Sequence, residues 1–478
     1  MHIPPIVATI IYAIGILGLF YLDRDEDSRM SKALWLPAVW LFLTSSRPVS
    51  LWLGVAPNLN SVDATEAYVE GSPIDRAVFM VLILAAMAVV ISRMDRVGPL
   101  LARNKIVLLF FLFCAVSILW SDFPFVAFKR WTKALGDLAM VLIILTEPNP
   151  MGVLKRLITR LGFILFPLSI LFIKYYPNLG RRLTNSWTEE TTGVTMQKNS
   201  LGLICMMYGI VFLWMFWAAY REREDPDRRR HLLAYGTIIV TIVWLLYMCN
   251  SMTSIAGLAM AGSVMWLAGR PSRKPTTVHL LVLAVLGISV TALFFDPGGN
   301  LVEALGKTST FSGRKLIWSL VLSQHTNPWV GTGFESFWLG DRLQALRDAL
   351  PNFPISSAHN GYLEVYLNLG WAGVTLLALL LLTGYRRVIA AFREDPERGS
   401  LLLGLFLATL FESLTEAAFR MTSLAWILLL LVIIGSSKIL ASEPSVGLEL
   451  SSLSASGQFW PWAAEDWEHS DESEIRVS

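Results

Sequence analysis

Three arginines and one histidine stand where side-chain chemistry is least expected to be incidental. Arg181, Arg182 and Arg314 sit among Gly, Asn, Thr and Ser, loop formers that let a guanidinium turn into a cavity. A guanidinium grips phosphate oxygens in pairs and stays charged at any working pH. The three therefore point to an anionic ligand, most simply a phosphate or diphosphate. Lys198 and Arg130 add positive charge in comparable settings. His359 opens a segment in which Asn360, Glu364 and Asn368 recur every fourth position, a spacing that puts them on one helical face, with Tyr362 and Tyr366 beside them. An imidazole ordinarily titrates at about 6.5 and takes a proton near neutral pH. A histidine at a helix start is more often a structural hydrogen-bonding residue than a catalyst. Here it begins a polar stripe running into apolar sequence, where polar groups are costly and usually functional.

Glu412 and Glu416 form a second acidic feature near Thr415 and Arg420. Glu416 and Arg420 are four apart, so a helical ion pair is the plain reading; either glutamate would otherwise serve as a base or bind a hydroxyl. Nothing suggests a metal or cofactor. No two histidines have a metal-site spacing, and Cys114, Cys205 and Cys249 make neither a disulfide framework nor a zinc pattern. The Asp23-Arg24-Asp25 string is similar to metal-binding carboxylates of nucleotide-sugar transferases, but no nucleotide-binding domain surrounds it.

The elements that position these residues are membrane helices. The 478 residues are 54% hydrophobic and 16% charged, against about 25% charged in a soluble domain. Spans of roughly 20 apolar residues are expected at 5–22, 33–53, 76–92, 106–121, 131–146, 155–174, 200–220, 231–249, 252–269, 277–295, 361–384, 400–418 and 421–440. The second is weak, because Pro37, Arg47 and Pro48 interrupt it. The first lacks the basic flank and cleavage site of a signal peptide and reads as a retained span. Arg and Lys mark loops around 93–105, 221–230, 270–274 and 386–398 as cytoplasmic. The segments 175–199 and 296–360 then lie outside, as does the N-terminus. Lys129 and Arg130 fall in a short outer loop, and Arg342 and Arg347 on a surface helix. Residues 441–478, rich in Ser, Glu and Asp, read as a disordered cytoplasmic tail. A net charge of +2 gives no sign of a nucleic-acid partner.

His359-Asn360, nine residues, then Gly370-Trp371-Ala372-Gly373 resembles the signature of O-antigen ligases and the related Wzy-type polysaccharide polymerases. Gly313-Arg314-Lys315-Leu316-Ile317-Trp318 and the turn from Pro328 to Gly333 are similar to that family's large periplasmic loop. Gln197-Lys198-Asn199-Ser200-Leu201-Gly202 resembles its other recurring outer segment. The likeness spans about 175–375. Ser46-Arg47-Pro48 and Glu70–Arg76 look closer to exopolysaccharide polymerases of the succinoglycan type. The resemblance implies an all-α polytopic membrane protein of 12–13 helices with GT-C-type glycosyltransferase architecture, in 1–440. It implies a bacterial inner-membrane enzyme, inverting and metal-independent, with its active site on the periplasmic side. The donor would be an undecaprenyl-diphosphate-linked oligosaccharide, and the acceptor another glycan or lipid A core. Membrane lipids and export or chain-length-control proteins would be its other partners; a non-enzymatic exporter or flippase is the alternative. Carried over by position, Arg314 would hold the diphosphate and Arg181 or Arg182 would provide a second clamp. His359 would orient or deprotonate the acceptor hydroxyl.

Overall fold

In a computed structural model, residues 3–24, 31–55, 72–183, 188–269, 276–284, 287, 310–350 and 355–440 are described. The protein is an all-α polytopic membrane protein. Its longer helices are α1 (Pro5–Leu22), α2 (Trp35–Thr44), α3 (Pro73–Ser92), α4 (Met94–Arg103), α5 (Lys105–Val116), α6 (Pro124–Thr146) and α7 (Pro150–Tyr175). They continue with α8 (Lys198–Arg221), α9 (Arg228–Cys249), α10 (Met252–Ala268), α11 (Thr310–Leu322) and α12 (Gly340–Ala349). The last three are α13 (Gly361–Glu394), α14 (Pro396–Thr415) and α15 (Leu424–Leu440). Helices α1, α3, α6, α7 and α14 all begin on proline, whose missing N–H is harmless in the first turn and whose φ is already helical. A two-stranded ribbon pairs β1 (Arg181–Leu183) with β2 (Glu189–Thr191).

Seven of these helices are long and apolar enough to cross a membrane. Helical residues occur at all thirteen expected span positions, the tenth being described only at 276–284 and 287. Several boundaries move for physical reasons. Helix α6 starts at Pro124, so Lys129 and Arg130 lie on the helix itself and not in a loop. The loop around 93–105 is the amphipathic helix α4, bent 91° from the segment that follows. The second span is α2 plus a turn at 49–52, broken at Arg47-Pro48 as its prolines dictate. The tail 441–478 and residues 296–309 of the expected outer loop fall outside the described residues.

The interior is built by α8, α14 and α15; every described side chain from Leu424 to Ser436 on α15 is buried. Helices α1 and α3 instead expose Ile6, Ile14, Leu17, Val81, Leu84 and Ile91, as lipid-facing helices should. The helix ends sort into two faces. At one, Arg230 donates to the Tyr21 carbonyl at 2.9 Å, Trp214 donates to the Glu397 carbonyl at 2.9 Å, and Arg387 bonds the Arg103 carbonyl. The basic loops at 93–105, 221–230 and 386–398 thus share this face, and 270–274 falls outside the described residues. At the other, Thr9 Oγ1 lies 2.9 Å from Tyr176 Oη and Thr415 Oγ1 lies 3.1 Å from Thr253 Oγ1. The N-terminus of α1 is on this second face.

Helix α13 is broken. Gly370 has φ 62° and ψ −164°, a conformation open essentially only to glycine. The stretch 328–333 lies along the break and takes over its orphaned backbone groups. Thr332 and Gly333 N–H groups donate to the Leu367 and Asn368 carbonyls at 3.2 and 2.9 Å. Trp371 and Ala372 N–H groups donate to the Pro328 and Trp329 carbonyls at 2.9 and 3.0 Å. A Cβ on Gly370 would strike the Trp329 carbonyl, and one on Gly331 would strike that of Asn368. This docking fixes the loop that carries the candidate site.

Candidate active site

Helix α14 ends one residue before Glu416, whose extended backbone (φ −141°, ψ 160°) turns its side chain off the helix. The pairing with Arg420 at helical spacing is therefore not made. Glu416 Oε2 lies 3.0 Å from His359 Nδ1. Its Oε1 accepts from Arg314 Nη2 at 3.2 Å and from Asn199 Nδ2 at 2.7 Å. One half-buried carboxylate thus gathers side chains from α8, α11 and the start of α13. Each of its oxygens has a donor facing it, which offsets the desolvation of the charge.

His359 has φ 48°, a left-handed backbone that costs a non-glycine residue about 1–3 kcal/mol. Its neighbours hold it there. Ala358 N–H donates to Glu364 Oε1 at 2.6 Å, and Trp318 Nε1 donates to the Ala358 carbonyl at 2.8 Å. Asn360 caps α13, its Oδ1 accepting from the Tyr362 and Leu363 N–H groups at 3.0 and 3.1 Å. With Glu416 on Nδ1, the favoured neutral tautomer carries its proton there and leaves the Nε2 lone pair for a ligand.

The polar stripe on α13 faces the loop. The second oxygen of Glu364 accepts from Trp338 Nε1 at 2.8 Å. Asn368 Oδ1 accepts from the Ser336 and Phe337 N–H groups at 2.8 and 3.0 Å. Asn360, Glu364 and Asn368 are thus the seat of the loop and of His359. Tyr362 donates to the Leu410 carbonyl at 3.3 Å and packs edge-on against Phe419. Glu412 is 1% exposed, and one of its carboxylate oxygens has no partner among the described residues.

The two adjacent arginines separate on β1, because successive side chains in a strand point to opposite faces. Arg181 donates through Nε to the Ile173 carbonyl at 2.9 Å and through Nη1 to Glu189 at 3.1 Å. Arg182 stands opposite Glu190 and is exposed. Lys198 pairs with Glu190 at 2.9 Å and immediately precedes Asn199. Arg130 bonds the backbone carbonyl of Glu335. Glu335 in turn pairs with Arg420 at 3.2 Å, and both line a cavity of about 30 Å³ beside Glu364 and Asn368, room for a water molecule.

The structure thus brings His359, Arg314 and Glu416 together, with Lys198 next to their partner Asn199. It puts Asn360 and Glu364 beneath them, and Arg130 at the Glu335 backbone. Asn199 and Glu335 went unassigned in the sequence. Asn199 lay within the quoted Gln197–Gly202 motif; Glu335, at φ 52°, had no signal beyond its glycine-rich neighbours. Among the described residues, no three His, Cys, Asp or Glu side chains gather as a metal site.

Residues 237–378 match the family model described as O-antigen ligase. The chain is also 25% identical over 303 residues to the exopolysaccharide production protein ExoQ of Rhizobium meliloti (strain 1021). That match covers 60% of this chain and 66% of the relative, just under two thirds of its length. Both support the O-antigen ligase and Wzy-type superfamily on a multi-pass membrane scaffold.

Proposed function

We propose that the protein is an inverting membrane glycosyltransferase that uses a glycan on undecaprenyl diphosphate at the periplasmic face of the bacterial inner membrane, joining repeat units into exopolysaccharide or O-antigen. The observation that carries this reading is the single Glu416 carboxylate joined to both His359 and Arg314. It supplies a base and a diphosphate-binding cation at one spot. The acceptor hydroxyl gives its proton to His359 Nε2 as its oxygen bonds the anomeric carbon. The bond from that carbon to the diphosphate oxygen breaks, and its electron pair leaves on the diphosphate. Glu416 steadies the imidazolium that forms. Arg314 takes the charge growing on the leaving group, aided by Arg182 and Lys198; Arg181, held by Ile173 and Glu189, stiffens the ribbon. The donor carries its own leaving group, so the reaction asks for no nucleotide.

The relative's role in exopolysaccharide production favours polymerisation over transfer to lipid A core; the family description favours the latter. Purified protein given lipid-linked repeats alone, then with lipid A core added, separates the two. Growth on repeats alone is expected. His359→Ala and Arg314→Ala should each lower turnover about 10²-fold or more. Wild-type rates from both variants would rule this site out.

A further inference from the structure

The break in the second apolar segment has a use that the catalytic reading leaves unassigned. Arg47 is 8% exposed. A buried guanidinium is costly unless its donors are met, and here backbone carbonyls face those on Nε and Nη2. Its Nε donates to the Val194 carbonyl at 3.2 Å. Its Nη2 lies 2.7 Å from the Leu179 carbonyl, 2.9 Å from that of Gly193 and 3.4 Å from that of Thr195. Trp52 and Phe172 cover its faces, with ring centroids 5.3 and 5.5 Å from Cζ.

These carbonyls belong to the two ends of one segment. Leu179 immediately precedes Gly180 and β1; Gly193 to Thr195 follow β2 and lead to Lys198 and Asn199. The ends are also tied to each other, the Gly180 carbonyl accepting from the Thr192 and Gly193 N–H groups at 2.9 and 3.0 Å. The ribbon carrying Arg181 and Arg182 therefore hangs from a ring of carbonyls closed on one cation. That cation comes from the break in the second apolar segment, 132 residues earlier in the chain.

We propose that Arg47 is a positioning residue that clamps the Leu179–Thr195 segment, so that capture of the donor's diphosphate by this ribbon depends on it. This rests on the glycosyltransferase reading. A lysine keeps the charge but lacks the planar fork that reaches several carbonyls at once, so Arg47→Lys should restore only part of what Arg47→Ala loses.

The test compares wild type, Arg47→Ala, Arg47→Lys and His359→Ala in nanodiscs, by hydrogen exchange, by binding of undecaprenyl diphosphate alone, and by donor kinetics. In Arg47→Ala, exchange over 177–197 should rise about tenfold while 198–221 and 361–394 stay unchanged. Undecaprenyl diphosphate binding should weaken about tenfold, and donor KM should rise with kcat within about twofold. Arg47→Lys should fall between. Unchanged binding, exchange raised throughout the bundle, or a fall in kcat with KM unchanged overturns the proposal. His359→Ala should lose transfer and keep binding. If wild type binds the lipid diphosphate but transfers nothing, the glycosyltransferase reading falls while binding still judges Arg47.

Discussion

Glu416 and Glu364 are both carboxylates close to His359, and they are expected to fail differently. Glu416 touches the imidazole and Arg314, so its charge matters to the reaction. Glu416→Gln keeps an acceptor oxygen but leaves the imidazolium unsteadied; kcat should fall about 10²-fold, with donor KM changed far less. Initial rates over a range of donor check this, and an unchanged kcat removes Glu416 from the mechanism. Glu364 accepts two N–H groups in a buried setting, so its role is to hold the backbone before His359. Glu364→Gln turns an amide against one of those donors and should cost about 1–3 kcal/mol of stability, seen as a lower melting temperature in detergent. His359 and Arg314 were legible in the sequence because their types and motif neighbours are distinctive. Their meeting at Glu416 was not. Arg314 and Glu416 are 102 residues apart, and the helical-spacing argument for Glu416 and Arg420 lapses once the helix stops at Thr415.

At the scale of elements, the break in α13 explains Gly331 and Gly370 in the motifs, while a Cβ on Gly333 would instead strike Ser117 and Ser121. Two pieces of backbone run in contact at the break, too close for a Cβ at Gly331 or Gly370. Four backbone hydrogen bonds cross the contact, each worth about 1 kcal/mol net. Gly370→Ala should release the 328–333 loop and with it Trp338, Ala358 and His359. The expected outcome is a protein that inserts but whose loop is cut rapidly by added protease and whose transfer is lost. Gly262→Ala on α10 is the control: its new methyl meets only Leu213 Cδ1 at 3.6 Å, and alanine suits a helix better. Equal protease resistance in the two variants contradicts the docking account. Hydropathy found the span but not the break, because a glycine inside an apolar run reads as a helix with a penalty of about 1 kcal/mol. The partner that makes the break favourable lies some 40 residues upstream.

At the scale of the molecule, the all-α membrane character and the helix positions were legible, since apolar length is a local property of the chain, though among the described residues seven helices, and not twelve or thirteen, are long and apolar enough to cross. Their packing was not, because apolar helices leave many pairings equally compatible with pattern. The sorting of helix ends into a basic face and a site face makes sidedness a single question with a direct answer. Asp341 on α12 is exposed beside the site loop, and Arg223 is exposed on the basic face. The native Cys114, Cys205 and Cys249 are all buried, so background labelling should be low without replacing them. Asp341→Cys should react with a membrane-impermeant maleimide in intact cells once the outer barrier is opened. Arg223→Cys should react only after the inner membrane is permeabilised. The opposite pattern would put the Glu416 cluster on the cytoplasmic side and deny it the donor as presented to a periplasmic enzyme. Labelling of both in sealed cells would mean that the helices between them do not form a closed barrier.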